Sequence, residues 1–193
     1  MSENGQRPLA GRATVWVEDT TIMTTTMHYT MMDSPIGPLR LIASGKGLAG
    51  ICFERTRRSR RQSGGDVKNA AHPVLVEAER QLREYFAGRR QTFDLPLDFV
   101  GTPFQRSVWK ALLTIPFGET RSYAQIAKQV GRPSACRAVG AANGRNPVAI
   151  VAPCHRVIGS TGALTGFGGG LDVKAQLLRL EGRNINGGLR VQF

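Results

Sequence analysis

Cysteine is scarce in this chain: its 193 residues include three, at Cys52, Cys136 and Cys154. Three cysteines so far apart are too few for a disulfide framework or for a cysteine-based zinc cluster. We therefore predict neither a disulfide scaffold nor a bound metal. Such a chain suits a reducing compartment, where a free thiol stays available for chemistry.

Long apolar runs are also absent. No stretch approaches the ~18–20 consecutive apolar residues that a membrane-spanning helix needs, and no apolar core of a secretory signal follows the N-terminus. We therefore expect a cytoplasmic protein of the bacterial type with no membrane partner. Apolar residues still make up 41% of the chain, enough for a hydrophobic core in one or two folded domains.

Acidic residues are rare in the second half of the chain. The net charge is +12, and residues 101–193 hold 12 Lys and Arg against Glu119, Asp172 and Glu181. Residues 1–100 are nearly balanced, with 14 basic and 11 acidic residues. A one-sided positive field favours a polyanionic partner, most often nucleic acid. A basic domain without such a partner remains the alternative on charge alone.

The start of the chain changes character at Met27. Residues 1–26 are polar and Thr-rich without any period, which predicts a disordered extension. Beyond it, two apolar runs at 39–43 and 48–53 flank a Gly-containing turn and predict a β-hairpin. The arginine-rich run 55–61 is interpreted as a solvated loop, with contact to DNA phosphates as the alternative.

The rest of the first half combines a helix and a further strand. Apolar residues follow helical spacing from Leu75 to Phe86, and Gly88 stands at a natural helix end. Apolar residues then alternate over 93–99, which predicts a strand. We predict an α/β N-terminal domain over residues 27–100, made of a small sheet plus a helix.

The second half shows the signatures of helix starts. Thr102 with Gln105, and Ser122 with Gln125, each form the pattern of a capping box, in which side chains satisfy the free N–H groups of a first turn. A last helix is predicted from about residue 172 to residue 181. These segments, joined by Gly-rich loops, predict a mainly helical region.

A helix-turn-helix is predicted within this region. Ser134 is positioned to cap a helix over 135–143, which follows the Ser122 helix after a short Gly-containing turn. That second helix is built of small residues around one long cation, Arg137, which could enter a groove or the base stack, or remain a solvated arginine. We predict a helical domain over 101–184 with a winged-helix-like helix-turn-helix, followed by a C-terminal tail over 185–193.

A candidate nucleophile lies in Pro153-Cys154-His155-Arg156-Val157. A thiolate is a strong nucleophile, and a nearby imidazole can take the thiol proton. Because neighbours in an extended chain point to opposite sides, we expect a water molecule between Cys154 and His155. Glu181 opposes the dipole of its predicted helix and therefore favours a polarised partner such as His155. An ordinary exposed glutamate is the alternative to this Cys–His–Glu relay.

These motifs, in this order and spacing, resemble the C-terminal domain of the methylated-DNA–protein-cysteine methyltransferases, which repair alkylated guanine by direct reversal. The resemblance rests on the motif at 153–157 with Asn146-Pro147-Val148 before it, on Tyr123, on Arg137 in Arg-Ala-Val-Gly, and on the Gly-Gly-Leu to Glu-Gly pattern ending at Gly182. It spans residues 102–182. The sequence from Met27 resembles the smaller α/β domain of the family more loosely.

The resemblance implies a single-use repair protein. An alkyl group would pass irreversibly from guanine O6, and from thymine O4, in double-stranded DNA to Cys154. The family places its helix-turn-helix in the minor groove and flips the damaged nucleotide into a pocket. The resemblance further implies no cofactor and a monomer in solution, with cooperative assembly on DNA left open.

The resemblance also implies roles for single residues. Cys154 would attack the alkyl carbon, and His155, backed by Glu181, would take the thiol proton through a water molecule. Asn146 would brace the turn, while Tyr123 would rotate the phosphate and donate to the guanine ring. The residues implied to surround the base are Asn143, Val157, Phe167 and Gly168. The residues implied to contact DNA are Tyr123, Ser134, Ala135, Ala138 and Arg137, which would fill the gap in the stack.

Two positions depart from common family patterns. Phe167 stands where many members have tyrosine, and Cys136 replaces a frequent alanine.

Two other function classes are conceivable. A DNA-binding module without chemistry is disfavoured by the intact motif around Cys154. A thiol hydrolase leaves the basic second half and the small-residue helix unexplained.

Overall fold

A computed structural model describes residues 26–54 and 65–182. Most of the predicted extension, the arginine-rich run and the predicted tail lie outside the described residues. The described part begins with a four-stranded sheet, formed by β1 (His28–Met32), β2 (Leu39–Ser44), β3 (Gly47–Phe53) and β4 (Val67–Lys68). The spatial order is β3-β2-β1-β4, with β4 parallel to β1 and the other pairs antiparallel. The predicted hairpin is confirmed as β2–β3.

Helix α1 (Pro73–Phe86) packs on this sheet. Its buried face includes Leu75, Ala78 and Leu82, which follow the helical spacing read from the sequence. Gly88 has a φ of 71°, a conformation that glycine adopts without strain just beyond a helix. The predicted helix and its end are therefore confirmed.

The predicted strand over 93–99 is wrong. This segment forms only an isolated bridge between Leu97 and Leu48, in which the Leu48 N–H donates to Pro96 O at 2.7 Å and the Asp98 N–H donates to Leu48 O at 2.9 Å. Pro96 has no N–H to extend a ladder. The alternating apolar side chains instead pack against the core from an irregular segment.

The second half contains four α-helices among its described residues, together with a small sheet. They are α2 (Pro103–Leu112), α3 (Tyr123–Gln129), α4 (Cys136–Gly144) and α5 (Leu171–Leu180). Both predicted capping boxes are present at the starts of α2 and α3. Strands β5 (Arg121–Ser122) and β6 (Val157–Ile158) pair in parallel and add a sheet that the helical pattern did not indicate.

The predicted cap of α4 is wrong. The N-cap is Ala135, without any side-chain hydrogen bond, and Ser134 is exposed in the preceding turn. The Ala135 N–H already donates to Arg132 O at 2.9 Å, which holds the turn by backbone bonds alone. The helix therefore begins one residue later than the serine pattern predicts.

The two halves share one hydrophobic core. The Ile51 N–H of β3 donates to Pro147 O at 2.8 Å, and the Trp109 indole N–H of α2 donates to Ala142 O of α4 at 2.8 Å. The segment 145–157, which carries the candidate nucleophile, is thus fixed between β3 and the helices. No helix in the described ranges is long and apolar enough to cross a bilayer.

Candidate active site

The nucleophile follows a turn that Asn146 holds in place. The Asn146 side-chain N–H donates to Ala152 O at 2.6 Å, and its Oδ1 accepts from the Val148 N–H at 3.2 Å. Within this turn Ile150 has a φ of 75°, which is strained for a β-branched residue at a cost of about 1–3 kcal/mol. Burial of Ile150 and the Asn146 hydrogen bonds hold this conformation.

A second tight turn lies immediately before Cys154. Pro153 has φ −80° and ψ 69°, and the Cys154 N–H donates to Ala152 O at 2.8 Å, which is an inverse γ-turn. A 3₁₀ turn over Cys154–Arg156 follows directly. Cys154 and His155 therefore do not lie on an extended chain, and both side chains are buried.

Opposing effects act on the pKa of the Cys154 thiol. Burial raises the pKa of the Cys154 thiol above its ordinary value, because a buried thiolate loses hydration. A hydrogen bond from Asn146, the positive charge of Lys174 and the local backbone N–H groups lower the pKa in part. The resting state is therefore a protonated thiol with groups arranged around it that favour the thiolate.

His155 and Glu181 form a direct pair. The distance from His155 Nε2 to Glu181 Oε1 is 2.9 Å, and both residues are buried. Burial lowers the pKa of His155, although Glu181 opposes this shift, so the ring is neutral at pH 7. Since the carboxylate accepts from Nε2–H, Nδ1 is left without a proton, and it has no hydrogen-bond partner among the described residues. Nδ1 is therefore the basic nitrogen.

Glu181 has more partners than the sequence indicated. It accepts from the Tyr85 hydroxyl at 2.7 Å, from Arg156 Nε and Nη2 at 2.8 Å each, and from the Gly118 N–H at 3.3 Å. Burial alone raises the pKa of Glu181, but the hydrogen bonds from His155 and Arg156 outweigh burial and hold the pKa at about 2. The carboxylate is thus ionised whenever His155 is needed as a base.

Lys174 is a fully buried cation to which the sequence motif assigned no role. Its Nζ donates to Val157 O at 2.5 Å and to Thr165 O at 2.7 Å. Burial lowers the pKa of Lys174 to about 8, while its interaction with the Cys154 thiolate raises it. Lys174 therefore fastens the strand after the nucleophile to the loop at 165, and its charge favours an ionised Cys154.

A small cavity opens beside the thiol. Its volume is about 90 Å³, and its lining brings together Asn143, Asn146, Cys154, Phe167 and Gly168. Ile51, Cys52 and Phe53 of β3 also line it, and the Phe53 and Phe167 rings meet edge to face with centroids 5.5 Å apart. The N-terminal sheet thus supplies one wall, which no motif in the sequence indicated.

A wider groove of about 610 Å³ adjoins this cavity. Gly144, Phe167 and Gly168 line both, and the groove continues along Tyr123 and Arg137. The Tyr123 hydroxyl donates to Thr165 O at 3.2 Å, and burial raises its pKa. Arg137 is exposed on α4, and Gly140 brings this helix close to the Tyr123 ring. The groove leads from an exposed arginine to the buried thiol.

The remaining residues singled out in the sequence lie around this groove and cavity. Ser134 and Ala138 are exposed, and Ala135 is partly exposed, at the start of α4 beside Arg137. Val157 is buried in β6, outside the cavity lining. Its N–H donates to Cys154 O, and its carbonyl accepts from Lys174. The structure therefore brings together Cys154, His155, Glu181, Asn146 and Asn143, whereas Val157 lies outside the cavity lining.

Two family models match this chain. The DNA binding domain of 6-O-methylguanine DNA methyltransferase matches residues 103–183, and the ribonuclease-like domain of 6-O-methylguanine DNA methyltransferase matches residues 27–99. These two matches cover most of the chain.

Individual relatives match over most of their length. A methylated-DNA–protein-cysteine methyltransferase of Methanosarcina barkeri is 50% identical over 159 residues, 82% of this chain and 99% of the relative. One from Mycobacterium bovis is 53% identical over 156 residues, 80% of this chain and 92% of the relative.

Solved structures agree with this similarity. Mycobacterium tuberculosis O6-methylguanine methyltransferase has a TM-score of 0.73 at 52% identity, covering 81% of this chain and 93% of that one. Mycobacterium tuberculosis OGT in complex with DNA has a TM-score of 0.74 at 51% identity, with coverages of 80% and 92%.

Proposed function

Because the chain belongs to the 6-O-methylguanine DNA methyltransferase family, we propose that it repairs DNA by direct reversal with Cys154 as the alkyl acceptor. The substrate is double-stranded DNA with an alkyl group on guanine O6, and thymine O4 is a second substrate. The observation that carries the proposal is one arrangement: a thiol in a cavity, backed by the His155–Glu181 pair, with a groove leading to Arg137.

The chemistry is a displacement at the alkyl carbon. The Cys154 sulfur attacks in line, a C–S bond forms, and the C–O6 bond breaks, with its electron pair passing to the guanine. The thiol proton leaves through a bridging water to His155 Nδ1. The base departs with the electron pair of the C–O6 bond and becomes neutral guanine by taking a proton from water on N1, while His155 returns its proton to water. Because the product is a thioether, thiol exchange cannot reverse it, and each molecule acts once.

The surrounding residues prepare this displacement. Glu181 stabilises the imidazolium that forms on His155, since its carboxylate stays ionised. Lys174 and Asn146 stabilise the developing thiolate, and Tyr123 donates its hydroxyl proton toward the ring of the leaving guanine. Each of these steps is carried out by the chain's own side chains and water.

The experiment that tests this function is the transfer itself. After incubation with a duplex containing one O6-methylguanine, we expect the intact mass to rise by one methyl group and peptide mapping to place that methyl on Cys154. The duplex should contain ordinary guanine afterwards. A protein that binds the damaged duplex and stays unmodified would instead be a DNA-binding module without chemistry.

Arg137 is proposed to fill the space that the flipped nucleotide leaves in the stack. Unstacking a base step costs a few kcal/mol, so we expect Arg137→Ala to slow reaction with duplex DNA by about tenfold or more. Reaction with free O6-methylguanine, which needs no flipping, should change little. Both rates follow from the time course of Cys154 methylation.

A matched control is available on another helix. Arg179 is exposed on α5 and lies outside the groove lining, so Arg179→Ala removes one positive charge without touching the proposed finger. We expect it to react with both substrates nearly as the parent protein does. Equal losses on duplex and free base in Arg137→Ala would refute the finger role.

The organisation and setting of the protein are also proposed. We place the domain boundary near residue 101, between an α/β domain over 27–100 and a helical domain over 101–184. The three cysteines all lie in the described ranges and form no disulfide, which supports a reducing compartment and hence the cytoplasm. DNA is the proposed partner of a monomer, with Ser134, Ala135 and Ala138 beside Arg137 on the contacting face.

A further inference from the structure

The hydroxyl of Tyr85 enters the active site from the N-terminal half of the molecule. Tyr85 lies in the last turn of α1, is 0% exposed, and its hydroxyl donates a hydrogen bond to Glu181 Oε1 at 2.7 Å. Its ring packs among the rings of Phe86, Phe93 and Phe117, with centroid distances of 5.4, 5.4 and 6.2 Å. Because these rings fix the phenol, its hydroxyl stays directed at the Glu181 carboxylate.

Three donors share Oε1 of Glu181. This oxygen accepts from His155 Nε2 at 2.9 Å, from the Tyr85 hydroxyl at 2.7 Å and from Arg156 Nη2 at 2.8 Å. The other oxygen, Oε2, accepts from Arg156 Nε at 2.8 Å and from the Gly118 N–H at 3.3 Å. A carboxylate oxygen offers about two lone-pair sites, so the three donors on Oε1 divide its charge. The bond to His155 is therefore weaker than it would be without the Tyr85 hydroxyl.

Tyr85 differs from the other donors because it carries no charge and can be removed alone. Arg156 neutralises the buried carboxylate, and the Gly118 donor belongs to the backbone. Burial and the negative charge of Glu181 raise the pKa of the Tyr85 hydroxyl, so it remains protonated and donating at neutral pH. Tyr85 therefore reduces the charge available at Oε1 without changing the net charge of the site.

The charge at Glu181 Oε1 determines how tightly His155 holds a proton. During the transfer Nδ1 of His155 takes the thiol proton, and the ring becomes a buried imidazolium beside this oxygen. An oxygen with fewer donors stabilises the imidazolium more strongly. The ring would then keep a proton at higher pH, where it could no longer accept one from the thiol.

We propose that Tyr85 is a positioning residue for the base His155. Its hydroxyl holds Oε1 of Glu181 in place beside the imidazole, and it limits how strongly that oxygen stabilises the imidazolium. A residue of the N-terminal half thus helps to set the pH range in which Cys154 reacts. This inference rests on the proposed transfer to Cys154.

Tyr85→Phe removes the hydroxyl and keeps the ring that packs against Phe93 and Phe117. Oε1 then keeps its donors on His155 and Arg156, so His155 holds its proton more tightly. We expect the low-pH limb of the methylation rate to move upward by about half a pH unit or more, since part of the lost hydrogen bond passes to His155. The rate above this limb should change little. The charged and titratable groups that face His155 stay the same: Glu181, Arg156, Lys174 and Cys154.

The pH dependence of the transfer rate is the first measurement. Methylation of Cys154 by saturating O6-methylguanine duplex is followed between about pH 5 and about pH 8, where histidine changes its charge. A saturating duplex makes the rate report the chemical step rather than binding. Tyr29→Phe is the matched control, because it also removes one phenol hydroxyl. Tyr29 lies in β1, where its ring stacks on the Arg40 guanidinium at 3.9 Å, and we expect this variant to keep the parental limb.

The titration of His155 itself is the second measurement. The chain contains three histidines, so the ring signals of nitrogen-15-labelled protein can be assigned by replacing His28 and His72 in turn. We expect the Nδ1 signal of His155 to titrate at higher pH in Tyr85→Phe than in the parent protein. Folded and unfolded molecules give separate signals, so a loss of stability does not change this comparison.

The outcomes separate a positioning role from a packing role. A His155 titration at the parental pH or below it, with a rate that falls equally at every pH, would make Tyr85 a packing residue and overturn the proposal. An upward shift of the same size in Tyr29→Phe would overturn it too, since the effect would then not come from Oε1. If even the parent protein stayed unmethylated, the transfer to Cys154 would be wrong, and the His155 titration would still decide the role of Tyr85.

Discussion

Replacing Cys154 with alanine is expected to abolish alkyl transfer completely while leaving duplex binding in place. The thiol contributes to the cavity wall, so its loss removes the acceptor without touching the groove or Arg137. Losing one buried sulfur atom costs about 1 kcal/mol of stability, which a folded domain tolerates. The damaged duplex should stay damaged, and the protein mass should stay constant.

The other two cysteines make this a stringent test. Cys52 lines the same cavity and Cys136 lines the groove, and both remain in the Cys154→Ala protein. The His155–Glu181 pair, by contrast, is placed next to Cys154, because His155 directly follows Cys154 along the chain. A methyl group found on either of the other thiols would show that position in the groove, rather than the relay at Cys154, decides which sulfur reacts.

Cys154→Ser separates shape from reactivity. The hydroxyl occupies nearly the same volume but is a weak nucleophile at neutral pH. We expect no methylation of this variant either, with binding again retained. Transfer to the introduced hydroxyl at a substantial rate would mean that the pocket activates any hydroxyl or thiol, and thiolate chemistry would then not be what the site depends on.

The sequence predicted the parts of this site whose signals are local. Capping boxes occupy four neighbouring residues, and both were found where Thr102 and Ser122 indicated. The motif around Cys154 is also local, and the charge of Glu181 at a helix end already favoured a partner such as His155. These predictions depend on spacing along the chain, which the sequence contains directly.

The parts that the sequence did not predict depend on long-range contacts. Tyr85 reaches Glu181 across 96 positions, and Phe53 of β3 meets Phe167 across the cavity. No periodicity in either segment reports a partner so far away. Burial of Lys174 is a similar case, because lysine at helical spacing is normally solvated. The strand predicted over 93–99 was wrong because alternation reports burial, whereas Pro96 decides the hydrogen bonding.

Glu181→Gln is expected to destabilise the protein by about 3–5 kcal/mol at pH 7. The change keeps the size of the side chain but removes the charge that neutralises Arg156, which is 5% exposed. A buried ion left without its partner costs that much, because neither water nor another charge compensates it. Urea denaturation of the parent and variant measures the difference. Adding Arg156→Met to the same chain should recover part of the loss.

The stability lost in Glu181→Gln should depend on pH. The pKa of Glu181 is about 2 in the folded protein, whereas its ordinary value is 4.5. Ionisation of Glu181 therefore stabilises the folded state relative to the unfolded state. The stability difference between parent and Glu181→Gln should therefore be full above pH 4.5 and should shrink as the pH falls toward 2. Glu79→Gln is the matched control, because Glu79 pairs with Arg83 on the surface of α1, where ion pairs contribute about 0–1 kcal/mol. A loss in Glu181→Gln no larger than in Glu79→Gln, or one that does not change with pH, would contradict the role of Glu181 as the buried anion that holds this site together.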